Sequence, residues 1–202
     1  MTNTLPTSKI AICILAAGAS TRMGLPKQLL KWGKHSLLHH AIDQAQLVGE
    51  DVFVVLGAHY DAIAPTITAV STIKNRDWEK GMGSSIAAGI KYIRKAGTYT
   101  HILVMLADQP YLDAPHLKKM IETRQKIPKG IVATQYETKA GVPAIFSSPF
   151  FDELEQLDKD YGARKMLQQH QNHLLAIKPL GSTVDIDTQE IYVRHRPKNI
   201  KG

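Results

Sequence analysis

The stretch Ile10-Ala-Ile-Cys-Ile-Leu15, continued by A-A-G-A-S-T-R-M-G-L-P-K from Ala16, decides the fold of this chain. Its apolar half predicts a buried β-strand. In the loop that follows, two glycines let the main chain turn sharply and bring its N–H groups close to a ligand's oxygens. Arg22 and Lys27 add a planar guanidinium and a mobile ammonium, which together suit a polyphosphate. The stretch therefore predicts a strand that ends in a polyphosphate-binding loop.

The spacing of this loop, G-x-x-x-x-x-G-x-x-K, differs from two better-known phosphate loops, G-x-x-x-x-G-K-[ST] and G-x-G-x-x-G. A glycine-containing surface turn with two solvated cations is the alternative interpretation. The loop by itself leaves both open, so the choice depends on the rest of the chain.

The composition indicates one globular domain. Of the 202 residues, 44% are hydrophobic and 21% are charged, which is enough for one substantial core. No apolar run approaches the roughly 18 residues that span a bilayer, and the first eight residues are polar. We therefore expect a cytoplasmic protein without a signal peptide or a membrane segment. The single cysteine, Cys13, lies in the first apolar run and is expected to be a small buried side chain.

The formal net charge of +7 fits nucleic acid, an anionic surface or a phosphorylated small molecule. The basic residues are scattered, and they form no dense stripe interleaved with aromatic side chains. We therefore expect no nucleic-acid partner.

Short apolar runs alternate with amphipathic helical patterns along the chain. The predicted strands are Ile10–Leu15, Val52–Leu56, Ile102–Leu106, Ile131–Gln135 and Leu174–Ile177. The predicted helices are Ser36–Val48, Ser84–Lys95 and Ala114–Gln125. This alternation is typical of βαβ units. We predict a three-layer α/β/α, Rossmann-like fold with a mostly parallel mixed sheet, which binds its ligand at the C-terminal ends of the strands.

An aspartate, Asp108, follows the predicted strand Ile102–Leu106, and Pro110 restricts the backbone just after it. A second predicted strand end supplies Asp185 and Asp187. Mg²⁺ typically takes one or two carboxylates together with phosphate oxygens and water. The sequence therefore predicts a Mg²⁺ site at these aspartates, which Mn²⁺ could also occupy.

Asp185 and Asp187 alternate in an extended segment, so their side chains should point to the same side. The next residue, Thr188, is predicted to cap a helix over Gln189–Val193. Each acid also has an ordinary structural explanation, because aspartates form turns and stabilise helix N-termini. For metal binding we favour Asp185 over Asp187.

Six motifs resemble the MobA-like nucleotidyltransferases, which attach a nucleotide to molybdopterin or related phosphorylated acceptors. They are L-A-A-G-A-S-T-R-M-G-L-P-K from Leu15, N-R-D-W-E-K-G-M-G-S-S from Asn75, L-A-D-Q-P from Leu106, G-V-P-A-I-F from Gly141, D-Y-G-A-R from Asp160 and D-I-D-T from Asp185. L-A-A-G and A-D-Q-P are most similar to the molybdenum cofactor cytidylyltransferase branch, whereas guanylyl-transferring relatives usually carry glycine at the position of Ala17. The resemblance implies a single nucleotidyltransferase domain over residues 1–202. It implies an NTP-binding half at about 9–110, an acceptor-binding half at about 111–190 and a tail at 191–202.

The resemblance also implies roles for individual residues. Those implied to act in catalysis are Arg22, Lys27 and Asp108. Those implied to bind the nucleotide are Leu15, Ala16, Ala17, Gly18, Arg22, Lys27, Gly81, Met82, Ser84 and Asp108. Those implied to bind the acceptor are Gly141, Pro143, Gly162 and Arg164, and the implied metal ligands are Asp108, Asp185 and Asp187.

For the nucleotide-binding and the acceptor-binding residues, the local sequence also gives a physical reason for the implied role. The methyl group of Ala17 would narrow the nucleobase pocket and favour a pyrimidine. The glycine at 141 follows a predicted strand, and Gly162 opens a predicted helix whose N-terminal amides favour an anion. Arg164 can hold an acceptor phosphate, but an ion pair with Asp160 or Glu155 is nearly as good an explanation.

The implied reaction transfers CMP from CTP to the terminal phosphate of molybdopterin and releases pyrophosphate. The acceptor phosphate has a second pKa of about 6, so it needs no general base. Arg22 and Lys27 would stabilise the leaving polyphosphate. Two alternatives stay open: transfer with another nucleotide or acceptor, such as GTP, a sugar phosphate or phospholactate, and a nucleotide-binding maturation partner of a molybdoenzyme. An active enzyme could also dock transiently to an apo-molybdoenzyme.

Overall fold

The computed structural model describes residues 9–49, 51–158 and 162–198, so Asp160 lies outside the described residues. The strands in the described part are β1 (Ile10–Ala16), β2 (Lys31–Trp32), β3 (His35–Ser36), β4 (Val52–Leu56), β5 (Ser71–Lys74), β6 (His101–Leu106), β7 (Ile131–Gln135), β8 (Ala140–Ser147) and β9 (Leu174–Ile177). Within this part, seven strands form one mixed sheet in the order β5-β4-β1-β6-β8-β7-β9. Neighbouring strands of this sheet are parallel except where β8 pairs with β6 and β7.

The α-helices of the described part are α1 (Leu37–Gln46), α2 (Tyr60–Ile63), α3 (Met82–Ala96), α4 (Ala114–Thr123), α5 (Phe151–Glu155), α6 (Arg164–Gln169) and α7 (Gln189–His195). One face of the sheet packs against α3, α5 and α6, and the other packs against α1, α2 and α4. The predicted three-layer α/β/α architecture is confirmed. None of the helices in the described residues combines the length and the apolar character needed to cross a membrane.

The periodic segments appear where the sequence predicts them. All five predicted strands are present with ends within one residue, and the three long helices deviate by at most two residues. The cap at Thr188 is also confirmed, because its hydroxyl accepts a hydrogen bond from Ile191 N at 3.3 Å. Cys13 is fully buried in β1, and burial raises the pKa of its thiol to about 12, so it is an inert core side chain.

Two strands of the seven-stranded sheet, β5 and β8, escape the sequence prediction, as do the two-residue strands β2 and β3. β5 is a half-exposed edge strand, so its composition lacks the apolar run that marks a buried strand. β8 contains a glycine and a proline near its start, and both residues argue against a strand. The strand forms nonetheless because it lies between β6 and β7 and is buried over its second half.

β8 accommodates its proline with a bulge, where the pairing register with β7 shifts. Two side-chain hydroxyls satisfy the bulged carbonyls: Thr134 Oγ1 donates to Pro143 O at 2.9 Å, and Tyr136 OH donates to Val142 O. The segment from Gly141 to Pro143 follows the predicted strand β7, but it belongs to a further strand that the sequence did not predict. These residues lie within β8, and Pro143 is buried.

The prediction that a strand ends at Asp185 and Asp187 is wrong, because residues 184–188 form a loop outside the sheet. Ile186 N donates to Asp108 O at 2.9 Å, and the Ile186 side chain is fully buried in a small cluster under α7. Burial of this one apolar side chain anchors the loop, and both flanking aspartates face the cavity described next.

Candidate active site

A cavity of about 440 Å³ opens where β1 and β6 end. The loop after β1, the first turn of α3, the end of β6 and the loop 184–188 form its wall. Loops converge at this edge because the C-terminal ends of parallel strands lie side by side. Eight of the implied nucleotide-binding residues line the cavity: Leu15, Ala16, Ala17, Gly18, Lys27, Gly81, Met82 and Asp108.

The other two implied nucleotide-binding residues lie outside the wall. The side chain of Arg22 is 75% exposed, and its guanidinium lies 3.7 Å from Asp187 Oδ2 at the mouth of the cavity. The hydroxyl of Ser84 lies 2.8 Å from both Asp77 O and Gly81 O and donates to one of them, so it braces the turn that opens α3. Ser85, which the sequence motifs did not single out, is the serine that faces the cavity.

The loop after β1 is held by Gln28, a residue that the sequence prediction missed. Its side chain is buried, and Nε2 donates to Ala16 O and Gly18 O at 2.9 Å each. Its Oε1 accepts from the hydroxyl of Ser20, at a residue with a left-handed backbone. The Gln28 side chain therefore replaces the main-chain pairing that a loop lacks and fixes the shape of the wall. A glutamine beside the predicted phosphate-binding lysine was the one available signal.

Lys27 brings the basic and acidic residues of the site together. Its ammonium donates to Asp108 Oδ2 and to Asp187 Oδ1, and its side chain is only 16% exposed. Burial opposes the charged ammonium, but the carboxylates of Asp108 and Asp187 outweigh burial and raise the pKa of Lys27. Lys27 is therefore a permanent cation in the cavity wall.

Negative charge nevertheless exceeds positive charge at this end of the cavity. Asp185 Oδ1 accepts from Gln109 Nε2 at 2.8 Å. Burial, and next the charge of Asp108, raises the pKa of Asp185. Asp108 Oδ1 is buried without a hydrogen-bond partner among the described residues. Crowded carboxylates with an unpartnered oxygen fit a cation that prefers oxygen ligands.

The described side chains supply only part of the ligand shell of a metal ion at the predicted site. Within residues 9–49, 51–158 and 162–198, no three His, Cys, Asp or Glu side chains are grouped to hold a metal ion by themselves. Asp108 together with Asp185 or Asp187 supplies two carboxylates, which is the number that Mg²⁺ commonly takes when phosphate oxygens and water complete its shell. Asp185 and Asp187 both line the cavity, so their placement does not decide which of them is the second metal ligand.

The four implied acceptor residues do not line this cavity. Gly141 and Pro143 belong to β8, and Arg164 is exposed at the first residue of α6. Gly162 is buried with a φ of 51°, and a Cβ at this position would lie 2.9 Å from Met82 Sδ. Gly162, in the predicted acceptor half, therefore packs against Met82 in the wall of the cavity. Glu155, one proposed partner of Arg164, is paired instead with Arg94 at 2.9 Å.

Gly57 gives a first testable prediction about the wall. A Cβ at Gly57 would lie 2.5 Å from both Ala17 O and Trp78 Cβ. The neighbouring Ala58 N donates to Ala17 O at 3.1 Å, so these main-chain segments cannot easily separate. We expect Gly57→Ala to lower the free energy of unfolding by about 1–3 kcal/mol through overpacking, measured by denaturant unfolding. Gly18→Ala is the control, because a Cβ there meets nothing within 4 Å. An unchanged midpoint for Gly57→Ala would contradict the prediction.

Comparison with models of known families matches residues 12–174 to the MobA-like NTP transferase domain. The chain belongs to this family. The match runs from β1 to the start of β9 and includes the loop after β1 and Asp108. This MobA-like protein is therefore a nucleotide-binding transferase enzyme, and the resemblance carried by the six motifs is confirmed at the level of the family.

Curated relatives and solved structures agree with this placement. Purine catabolism protein PucB of Bacillus subtilis (strain 168) is 32% identical over 192 residues, which cover 88% of this chain and 91% of PucB. Nicotine blue oxidoreductase of Paenarthrobacter nicotinovorans is 38% identical over 113 residues, which cover 54% of this chain and 53% of that protein. The crystal structure of Rv0371c from Mycobacterium tuberculosis H37Rv has a TM-score of 0.79 at 28% identity and covers 94% of this chain and 98% of its own.

A second structure of Rv0371c, a complex with manganese, has a TM-score of 0.74 at 24% identity. It covers 93% of this chain and 97% of its own. At this identity the likeness concerns the fold, which is the same mixed sheet between two helical layers.

Proposed function

We propose that this MobA-like protein transfers CMP from CTP to the terminal phosphate of molybdopterin, or of its molybdenum form, and releases pyrophosphate. The observation that carries the proposal is the placement of Lys27, held between Asp108 and Asp187 in the wall of the cavity that follows β1. A buried cation beside an excess of carboxylates suits a triphosphate that arrives with a divalent metal.

The chemistry needs no protein nucleophile. An oxygen of the acceptor phosphate forms a bond to the α-phosphorus of CTP, and the bond from that phosphorus to the bridging oxygen of the pyrophosphate breaks. The acceptor phosphate is largely ionised at neutral pH, since its second pKa is about 6. Lys27 and Arg22 would neutralise the charge that develops on the leaving pyrophosphate, Lys27 from the wall and Arg22 from the mouth of the cavity.

A divalent cation, Mg²⁺ or Mn²⁺, would be held by Asp108 together with Asp185 or Asp187. When bound, it supplies positive charge that binds and orients the phosphate oxygens. The unpartnered Asp108 Oδ1 and the excess of carboxylates support this assignment. So does the complex of Rv0371c with manganese, a protein of the same fold.

The acceptor is proposed to bind over the second half of the chain, at about 111–190, while about 9–110 bind the nucleotide. Gly141 and Gly162 would contribute main chain, and the exposed Arg164 would contribute charge. The buried Pro143 would act through the shape of β8 and not by direct contact. The names of PucB and of nicotine blue oxidoreductase connect similar chains with catabolism and with an oxidoreductase. They support, for this chain, transient docking to an apo-molybdoenzyme that receives the finished cofactor.

The proposal is tested by pyrophosphate release from purified protein with Mg²⁺ and molybdopterin, with CTP, GTP, ATP and UTP compared in parallel. We expect release that depends on molybdopterin and is fastest with CTP. Release with another nucleotide would keep the chemistry and overturn the choice of base. Release that is indifferent to molybdopterin, or absent with every nucleotide, would overturn the acceptor.

The choice of base rests on Ala17, whose side chain is buried in the cavity wall. We expect Ala17→Gly to shift the ratio of kcat/KM for CTP and GTP toward GTP, by at most about 10–100-fold, because one methyl group discriminates only weakly. Ala19→Gly is the matched control, since Ala19 lines the same cavity two residues later and should leave the ratio unchanged. A ratio that stays constant in Ala17→Gly would remove Ala17 from nucleobase selection.

A further inference from the structure

Asp185 is held in place by a side-chain amide that is itself oriented by a tyrosine. We propose that Gln109 and Tyr136 are positioning residues that fix the Asp185 carboxylate beside Asp108, so that the two aspartates are set at a constant spacing for a divalent cation. This inference rests on the metal-dependent transfer proposed above and deepens it.

The first step is the Gln109 amide, which is buried with 6% exposure. Nε2 donates to Asp185 Oδ1 at 2.8 Å and to Tyr136 OH at 3.0 Å, so both of its hydrogens are used. Gln109 engages only one oxygen of the Asp185 carboxylate. Because the donor is a neutral amide, it holds that carboxylate without neutralising its charge, and a cation can still bind.

The second step is the direction of the Tyr136 hydroxyl. It has a single hydrogen, which it donates to Val142 O in the bulge of β8. Its oxygen can therefore only accept from Gln109, and this arrangement turns the nitrogen of the amide, not its oxygen, toward the tyrosine. Burial raises the pKa of Tyr136 to about 12, so the hydroxyl keeps its proton at neutral pH. The chain of donors thus runs in one direction, from Gln109 through Tyr136 to the bulge.

The third step is the main chain. Ile186 N donates to Asp108 O at 2.9 Å, next to the bond between the Gln109 amide and Asp185. Asp108 and Gln109, which are consecutive after β6, are thus hydrogen-bonded to two consecutive residues of the loop 184–188. This double attachment sets the spacing between the carboxylates of Asp108 and Asp185 before any ligand arrives.

The bulge also provides a matched control. Thr134 and Tyr136 each donate a hydroxyl hydrogen to one of the two adjacent bulged carbonyls. The Thr134 hydroxyl otherwise contacts His116 Nε2 at 2.9 Å and Met120 Sδ at 3.9 Å. Both hydroxyls brace the bulge, but only Tyr136 continues to Gln109. Comparison of Tyr136→Phe with Thr134→Val therefore separates positioning of Asp185 from general support of β8.

The test is direct Mn²⁺ binding to the full-length protein without nucleotide or acceptor, measured from the electron paramagnetic resonance signal of free Mn²⁺. We expect Gln109→Leu to raise the Kd for Mn²⁺ by about 10–100-fold, as loss of a group that orients a metal ligand does. Tyr136→Phe should raise it by about 3–10-fold, the factor that one neutral hydrogen bond is worth. Thr134→Val should stay within about twofold of the wild type, although it is expected to melt earlier, as Tyr136→Phe does.

Three results would overturn the inference: a wild-type Kd in Gln109→Leu, an equal loss in Thr134→Val and Tyr136→Phe, or no Mn²⁺ binding by the wild type. If Gln109→Leu fails to fold, the comparison of Tyr136→Phe with Thr134→Val still tests whether Tyr136 positions Asp185. Failure of this inference is distinguishable from failure of the proposed transferase function, because that function is tested by CMP transfer to molybdopterin and not by Mn²⁺ binding.

Discussion

Asp108→Asn is expected to lower kcat/KM for pyrophosphate release by about a thousandfold, the order of effect seen when a group that stabilises charge in the transition state is removed. Asp108 is the residue on which the site depends most, because it contacts Lys27 and is bonded through its main chain to the loop that carries both other aspartates. The asparagine side chain keeps the size of the aspartate but loses the charge that a divalent cation needs.

The same substitution should leave the stability nearly unchanged. Lys27 keeps its bond to Asp187, and removal of one carboxylate relieves the repulsion that helps to raise the pKa of Asp185. The measurement is a pair, pyrophosphate release and thermal unfolding. Asp43→Asn is the control, because Asp43 lies in α1 outside the cavity and is half exposed. Normal turnover by Asp108→Asn would remove Asp108 from the mechanism.

Lys27→Met is expected to damage both catalysis and stability. It removes the buried cation from the wall, so kcat/KM should fall by about 100–1000-fold. It also leaves the three carboxylates of the cavity wall without the ammonium, and the Arg22 side chain near Asp187 is largely exposed. Because breaking a partly buried ion pair leaves an uncompensated charge, the free energy of unfolding should fall by about 1–3 kcal/mol at neutral pH.

The pH dependence of the Lys27 contribution has a definite sign. Its pKa is raised in the folded state above the ordinary value of 10.5. The stabilisation is therefore fully present below pH 10.5 and is lost only as the pH rises through the raised pKa. A measurement at neutral pH therefore gives the full loss of unfolding free energy in Lys27→Met.

Added Mn²⁺ distinguishes two explanations for the lowered stability of Lys27→Met, repulsion between the carboxylates and simple loss of packing. In Lys27→Met a divalent cation can occupy the space between the carboxylates, so millimolar Mn²⁺ should raise the melting temperature of the variant more than that of the wild type. Lys31→Met serves as the control, because Lys31 is exposed four residues later and should melt like the wild type with and without Mn²⁺. A Lys27→Met protein that melts normally, or that ignores Mn²⁺, would show that the carboxylates do not need the ammonium.

Prediction from the sequence succeeded where the signal was local. Strands β1, β4, β6 and β7 are short apolar runs that are buried in the sheet, and β9 is an apolar run that is partly buried at its edge. The cap at Thr188 and the glycine-containing loop after β1 are equally local, because each depends on a few consecutive residues. Most of the residues predicted to bind the nucleotide lie in such short segments, and eight of them line the cavity.

Prediction failed where neighbours far along the chain override local preference. β8 forms in spite of its glycine and proline, because it lies between β6 and β7 and two hydroxyls satisfy its bulged carbonyls. The turn that opens α3 uses the Ser84 hydroxyl for its own main chain, so the cavity receives Ser85. The sequence offers only the position of Gln28 beside Lys27 as a signal, since the role of Gln28 depends on two carbonyls that the folded loop brings to it.

The sequence by itself determined the layered architecture, the glycine-containing loop after β1 and the identity of the charged residues, because periodicity, glycine placement and charge are properties of neighbouring positions. Only the tertiary structure decided how those charges meet. Lys27 contacts Asp108 and Asp187 across 81 and 160 positions of the chain, through a loop that is anchored by burial of Ile186. Such contacts depend on which apolar side chains pack together and where the loops then lie, and no pattern of consecutive residues records that.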